Sequence, residues 1–487
     1  MRTKRIASGV AVVALAWGLA SCDNDLASIN QNPNAPTDVS AEFILPEAIQ
    51  TAVENILGAG LANLEGMGLW AQHYAKIQYP NEDRYDLRPQ SIDGLWSSLY
   101  AGTLMDVQTI IDKGEESGND NHVAVGLVLK SWVFSVLTDL WGAVPYSEAL
   151  SLGKEGGTAT PKYDMQADIY EGLLSDLERA ASLFDPGATG FGSEDLIYGG
   201  DMELWKKFAN SLRLRLAIRI ADANPTLARQ HAEAAIAGGV FESNDDIAQL
   251  VYIGSPPNEH PLYENRVRAG RDDHAISKTM VDMLKSLNDP RLAIYAEPNE
   301  SDGEYVGMPN GMNDGHPYKL NTISRIGKYW RGTPNAPAVI MSYAEVLFLR
   351  AEAARRGWNA GGTAADLYHD AIRASMEQYG IASAAIDNYL AQAEVVYDPA
   401  RGEEMIAVQK WIALYGNGME AYSEVRRTGY PALTPGPHAE NLNNGKIPAR
   451  VEYPGTEQTT NGAALSAAIA AQGGGQDYST PMWWMTK

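Results

Sequence analysis

Residues 341–380 read MSYAEVLFLRAEAARRGWNAGGTAADLYHDAIRASMEQYG. Tyr343, Val346, Leu347, Ala351 and Ala354 recur every three or four positions, the spacing that stacks side chains on one face of an α-helix. Gly357 is placed to end that helix and Asn-Ala-Gly-Gly-Thr to turn the chain. Ala364, Tyr368, Ala371, Ile372 and Ser375 then put a second stripe on a returning helix. The two must pack as an antiparallel hairpin. The spacing Ala364-x3-Tyr368-x2-Ala371 matches the second helix of a tetratricopeptide repeat, where small residues allow close approach and the ring fills the gap.

A partial second copy lies upstream. Leu204 to Ile220 (LWKKFANSLRLRLAIRI) supplies a first helix, and Ala228-x3-Ala232-x2-Ala235 the return before Gly238-Gly239. The Trp-Leu-Gly-Tyr signature of the repeat is absent, so ordinary packing of each hairpin stays open as an alternative. Because such hairpins cannot bury their faces alone, the expected fold is mostly α. It is a superhelix of tetratricopeptide-like hairpins drawn from about residues 90–240 and 340–430, with long irregular loop insertions over one side and little sheet.

The chain has 487 residues, 45% hydrophobic and 20% charged, an ordinary globular composition with ample material for a core. Arg2, Lys4 and Arg5 precede an apolar run, Ile6 to Ala20, that is short for a bilayer span, and Leu19-Ala20-Ser21-Cys22 has the form of a lipobox. Residues 1–21 therefore read as a lipoprotein signal peptide, with Cys22 the lipidation site and outer-membrane lipid its partner. As the sole cysteine, Cys22 belongs to no intramolecular disulfide. Loss of the three leader bases leaves 35 Lys+Arg against 61 Asp+Glu, a formal charge of −26. That field repels phosphate and argues against nucleic-acid binding. Arg213, Arg215 and Arg219 sit in an apolar-rich helix and are expected on its surface, in ion pairs.

Residues 22–40 are polar and Pro-punctuated, a tether; residues 41–487 read as one α-helical domain. A helical pattern from Ala41 to Ala75 is loosened by Gly58, Gly60, Gly66 and Gly68, and the chain leaves it at Pro80 among Tyr74, Tyr79, Arg84 and Tyr85. Helical pattern resumes over Ile92–Asp112 and Val123–Leu140. From about 252 to 337 prolines interrupt nearly every element, leaving only Ser277–Leu287 with a helical stripe. A loop tract of that length, rich in tyrosine, reads as functional rather than disordered. No membrane-spanning segment is read in the mature chain.

Several short motifs accumulate along the chain. They are LTDLWGAVPYSEAL at 137–150, PKYDMQADIYEGLLSDLERA at 161–180, Asn288-Asp289-Pro290-Arg291, Arg426-Arg427-Thr428-Gly429-Tyr430-Pro431 and Pro481-Met-Trp483-Trp484. With the lipobox, they resemble the SusD/RagB family of surface lipoproteins, which capture nutrients for a TonB-dependent outer-membrane transporter. The resemblance spans essentially the whole mature chain. It implies a lipid-anchored protein facing the cell exterior, with a SusC-like transporter as partner and no catalysis. The expected ligand is an extracellular oligosaccharide, or else an oligopeptide.

A search for catalytic arrangements agrees with that implication. There is no G-x-S-x-G elbow, H-E-x-x-H helix, Walker A loop or dinucleotide glycine motif; Gly416-Asn417-Gly418 joins two helical runs and reads as a tight turn. Asn299 to Glu304 and Asn313 to His316 gather oxygen ligands as calcium sites do, but neither fits the twelve-residue loop, so no cofactor or metal is expected. Paired carboxylates roughly 5–10 Å apart cannot be read from sequence. A secreted helical glycoside hydrolase is therefore the alternative function, with a protein–protein scaffold as a third. A deep cleft holding two carboxylates, one raised in pKa, would distinguish the hydrolase.

Sugars bind through flat aromatic faces carried on exposed loops. Two tracts fit: Tyr74, Tyr79, Arg84 and Tyr85, and Tyr305, Tyr318, Tyr329 and Trp330. Tyr79 and Tyr85 rank first, since Pro80 to Arg84 between them hold little that demands burial. Replacing both is expected to weaken binding and spare stability.

Overall fold

The computed structural model describes residues 39–474 and 478–486. Cys22, the leader and nearly all of the tether lie outside them. Residues Ala41–Lys487 form one compact unit. Ten longer helices build its body: α1 (Ala41–Leu57), α2 (Met105–Ser117), α3 (Asp120–Trp141), α4 (Gln166–Leu183), α5 (Met202–Arg219), α6 (Pro225–Ala237), α7 (Tyr343–Arg355), α8 (Ala364–Glu377), α9 (Gly402–Ala413) and α10 (Gly418–Thr428). Helices α2 to α6 pack each on the next; α5 then meets α7, and α7 packs on both α8 and α9. The expected superhelix is what forms, and the α7–α8 hairpin shows the expected stop at Gly357 together with two helix caps that the structure adds. Ser342 caps α7 by accepting from the Glu345 N–H at 3.1 Å, and Thr363 caps α8 by accepting from Asp366 at 3.1 Å. Gly357 takes φ +77° just past α7, the left-handed conformation a side chain resists. Tyr368 and Ala371 are fully buried between the two helices.

Boundaries moved where glycine or geometry intervened. The pattern from Ala41 stops at Leu57, and a short helix, Met67–Trp70, follows the glycine-rich turn. The Ile92–Asp112 pattern is three pieces: a helix Pro89–Ser97, a π-helix Ser98–Leu104, and α2. α3 is long and apolar enough to cross a bilayer, but 94% of its most apolar window is buried inside the body, so its hydrophobicity serves the core. The Gly416–Gly418 segment is the tight turn expected; a Cβ on Gly418 would lie 2.5 Å from the Gly68 nitrogen. Trp484 docks back, buried, with its indole N–H on Asp139 at 2.8 Å.

The α5 arginines correct the sequence reading. Arg213, Arg215 and Arg219 are buried rather than on the surface. Arg215 grips Glu345 of α7 through two bonds of 2.6 Å. Arg219 reaches Glu420 at 2.6 Å and Glu424 at 2.7 Å on α10, and Asp139 of α3 at 3.4 Å. Lys410 of α9 approaches Glu424 at 3.2 Å, and Arg427 joins Glu424 to Glu352 of α7. Burial pushes the Glu424 carboxyl up, but Arg427, Lys410 and Arg219 together hold it well below the usual range. The network ties five helices together through paired buried charges.

Sheet is confined to three two-stranded pairs among the described residues. β1 (Tyr74–Lys76), β2 (Val144–Pro145), β3 (Tyr163–Asp164), β4 (Ala248–Val251), β5 (His274–Ile276) and β6 (Pro337–Met341) pair as β1–β5, β2–β3 and β4–β6, all antiparallel.

Candidate functional site: a loop face around Tyr79

The β1–β5 pair carries the loop layer. Tyr74 faces Ile276, Ala75 faces Ala275 and Lys76 faces His274, and the Ile77 N–H extends the ladder to the Asp273 carbonyl at 2.6 Å. Ala75, Ile77, Ala275, Met308 and Ile323 form a small core of their own under this pair, with Met312 and Tyr318 packed on it. His316 closes over the edge, its Nε2 2.8 Å from the Ile77 carbonyl.

Asp83 fixes the turn that follows. Its carboxylate accepts from the Asn310 amide at 2.7 Å and the Lys76 N–H at 3.1 Å, while Asn310 also donates to the Tyr74 carbonyl at 2.8 Å. Burial pushes this carboxyl up to about 7 against those donors. Beside it, Glu65 is pushed up by burial, but His274 and Lys76, at 3.1 and 2.5 Å, hold it far below the usual carboxylate range. A third segment straps the outside. Glu440 N–H donates to the Arg84 carbonyl at 2.7 Å, Arg84 Nε to the His438 carbonyl at 3.2 Å, and Arg84 pairs with Glu440.

On this scaffold Tyr79 stands out of the surface, 63% exposed, with its backbone in the left-handed region at φ 53°. A non-glycine residue held there costs energy that the surrounding loops must supply. The Arg271 guanidinium lies 5.4 Å from its ring centroid and is oriented by Asp273, which accepts from its Nε at 2.9 Å. Tyr318, half-buried, lies 5.7 Å from His316 across the same edge. Tyr79, Arg271, His316 and Tyr318 therefore surround Ile77. Tyr79 and Tyr318 offer ring faces and Arg271 guanidinium donors, the equipment for holding hydroxyl and amide groups, while His316 belongs to the scaffold, its Nε2 on Ile77 and its Nδ1 buried.

The other expected aromatics are elsewhere. Tyr85 is 2% exposed, its ring edge-on to Trp70 at 5.5 Å, so the reading that nothing near it demanded burial is overturned. Tyr74 is 1% exposed, packed on Tyr415 at 5.2 Å. Trp330 is buried in a cluster with Tyr295, Tyr329, Tyr379 and Tyr415, its centroid 5.1 Å from that of Tyr415. Arg84 is engaged by Glu440, and Tyr305 is half-buried against the body. Arg271 and Asp273 were not singled out from sequence; their signal was the charged run Arg271-Asp272-Asp273 inside the proline-rich tract.

Among the carboxylates of this layer, Asp273 pairs with Arg271, Asp272 with Arg325 and Arg331, and Glu440 with Arg84. Asp83, the one raised towards neutrality among them, is sealed beneath the surface. The Asn299 loop is a backbone turn, with the Asn299 side chain accepting from the Ser301 N–H at 2.9 Å and the Asp302 N–H at 3.1 Å. Among the described residues no group of three His, Cys, Asp or Glu side chains is arranged to hold a metal ion.

The comparisons with known proteins point one way. The SusD-like family model described as starch-binding associating with outer membrane matches residues 33–454. Among solved structures, a chitin-binding protein is 31% identical, with a TM-score of 0.81 covering 92% of this chain and 100% of its own. A chitin-binding SusD homologue from Flavobacterium johnsoniae is 28% identical, with a TM-score of 0.79 over 91% of this chain and 99% of its own. A SusD homologue from Bacteroides uniformis is also 28% identical, at 0.80 over 91% and 100%. Among curated proteins, none matches.

Proposed function

Since the chain belongs to the SusD-like family of starch-binding proteins that associate with the outer membrane, we propose that it captures an extracellular oligosaccharide on the loop face around Tyr79. In this reading the ligand passes uncleaved to a TonB-dependent transporter in the same membrane, and lipid on Cys22 keeps the protein at the outer surface. The observation that carries the proposal is Tyr79 itself. A large ring left 63% exposed, in a strained backbone position and beside an oriented guanidinium, is a flat face open to a ligand.

Chito-oligosaccharides are the first ligands to try, because two of the similar structures are of chitin-binding proteins. The apolar C–H face of such a sugar suits the Tyr79 ring, and its acetamide oxygen suits the Arg271 donors. Isothermal titration of chitohexaose and maltohexaose into wild type and Tyr79→Ala tests the site, and mass spectrometry of the recovered sugar tests cleavage. Binding of neither sugar to wild type, or shortening of one that depends on a single carboxylate, overturns the reading. Fatty-acid probe labelling of wild type against Cys22→Ala tests the anchor, and co-purification from solubilised outer membrane tests the transporter.

A further inference from the structure

A groove on the helical body shares none of the residues of the loop face. One wall is the π-helix Ser98–Leu104, which presents Tyr100 and Ala101. Wide helical turns of this kind concentrate at sites a protein uses. The opposite wall is the 145–161 loop, where Leu150 is held at φ 60°, the left-handed region that a leucine side chain resists, and Leu152 is 68% exposed. The groove encloses about 510 Å³, within the roughly 300–1,000 Å³ range of ligand pockets.

Its chemistry selects an occupant. Tyr100 is a half-buried ring fixed at two points: its hydroxyl donates to the Pro145 carbonyl at 2.6 Å, and it leans on the buried Trp96 with centroids 4.8 Å apart. A ring held that way has little rotamer freedom left to lose when something stacks on it. Two carboxylates line the same groove, and each is positioned by one bond. Glu148 Oε2 accepts from the Lys162 N–H at 3.0 Å, and Glu457 Oε2 from the Tyr163 hydroxyl at 2.6 Å. The second oxygen of each, Oε1, takes no hydrogen bond from the described residues. The Lys162 cation, paired with Asp164 at 3.1 Å, lies beside Glu148, so the groove does not call for a positive ligand. A purely apolar ligand would strip water from both carboxylates and return no donor. A fixed ring, aliphatic walls and oriented acceptors are matched together by a neutral molecule with apolar C–H faces and many hydroxyl donors. We propose that the groove is a second oligosaccharide site, in which a sugar ring covers Tyr100 and its hydroxyls donate to Glu148 and Glu457. This rests on the reading that the protein captures glycan, and adds a point of contact away from the loop face.

Isothermal titration of chitotriose and of maltotriose into the full mature chain tests it, a trisaccharide being used so that one molecule fills one site. Two sugars per chain are expected for wild type. Ala101→Arg, which puts a long side chain into the groove, should leave one. Glu148→Ala should weaken the groove event about fivefold through loss of one hydroxyl bond, and Tyr79→Ala should weaken only the other event. Ala101 and Glu148 are exposed, so both groove variants keep the wild-type melting temperature. One sugar per chain, weakened by Tyr79→Ala and untouched by Ala101→Arg, overturns the groove and leaves the loop face standing. Unchanged stoichiometry and affinity in both groove variants overturn it as well. Binding of neither sugar to wild type overturns the groove together with the glycan reading beneath it. Shortening of the sugar that Glu148→Ala abolishes would replace binding by hydrolysis in the groove.

Discussion

Arg219 in the helical body and Arg271 in the loop layer both stand beside carboxylates, with different results. Arg219 is 2% exposed and meets Glu420, Glu424 and Asp139 from two other helices. The Arg271 side chain is 48% exposed, meets Asp273 two residues on, and lies against a tyrosine ring that faces solvent. Desolvation separates the two. Buried, a charge is costly unless every partner is in place, so the α5 arginines make helix register a condition of folding. At the surface the same pair contributes little to stability, and it holds the guanidinium in one orientation beside the Tyr79 ring.

The body should therefore fail in stability and the loop face in affinity. Arg219→Met leaves Asp139, Glu420 and Glu424 buried with one fewer cation. It should cost about 3–5 kcal/mol in urea unfolding; a loss below about 1 kcal/mol would show that the network is dispensable. Tyr85→Ala should cost about 3 kcal/mol by opening a cavity beside Trp70, which moves this tyrosine from the loop face to the body. Unchanged stability would return it to the ligand surface.

Acid sharpens the same contrast. Burial holds the His73 and His260 imidazoles down to about 3, against an ordinary 6.5. As pH falls below 6.5 the unfolded chain takes up these protons first, so stability is full above that value. It should drop on acidification, by about 2 kcal/mol per histidine at pH 5. Asp83 acts in the opposite sense. Raised to about 7, it takes its proton in the folded state before the unfolded carboxyl does at 3.8, so its contribution grows as pH falls from 7 towards 4. Asp83→Asn should steepen the loss of stability between pH 7 and pH 5; an identical slope would mean that Asp83 is ionised throughout. The smallest expected effect is at the proposed ligand face. Tyr79→Ala should weaken oligosaccharide binding by about 1 kcal/mol, the low end for an aromatic stacking platform, and leave the melting curve in place.

By itself the sequence determined the helical body. The Tyr343–Ala354 and Ala364–Ser375 stripes, their caps and Gly357 are local features, and a period of three to four residues is written along the chain whatever the rest does. The tyrosines of the loops carry no such period. Tyr79 and Tyr85 lie in one polar stretch with the same neighbours, yet one is exposed and the other is packed on Trp70, which Tyr422 and Tyr478 also reach from distant positions. The arginines of α5 looked like surface residues because their carboxylates, Glu345, Glu420 and Glu424, sit on helices far along the chain. Tertiary structure alone decided both matters, since burial of an aromatic ring or a charge depends on which remote side chains arrive beside it, and no local pattern encodes that arrival.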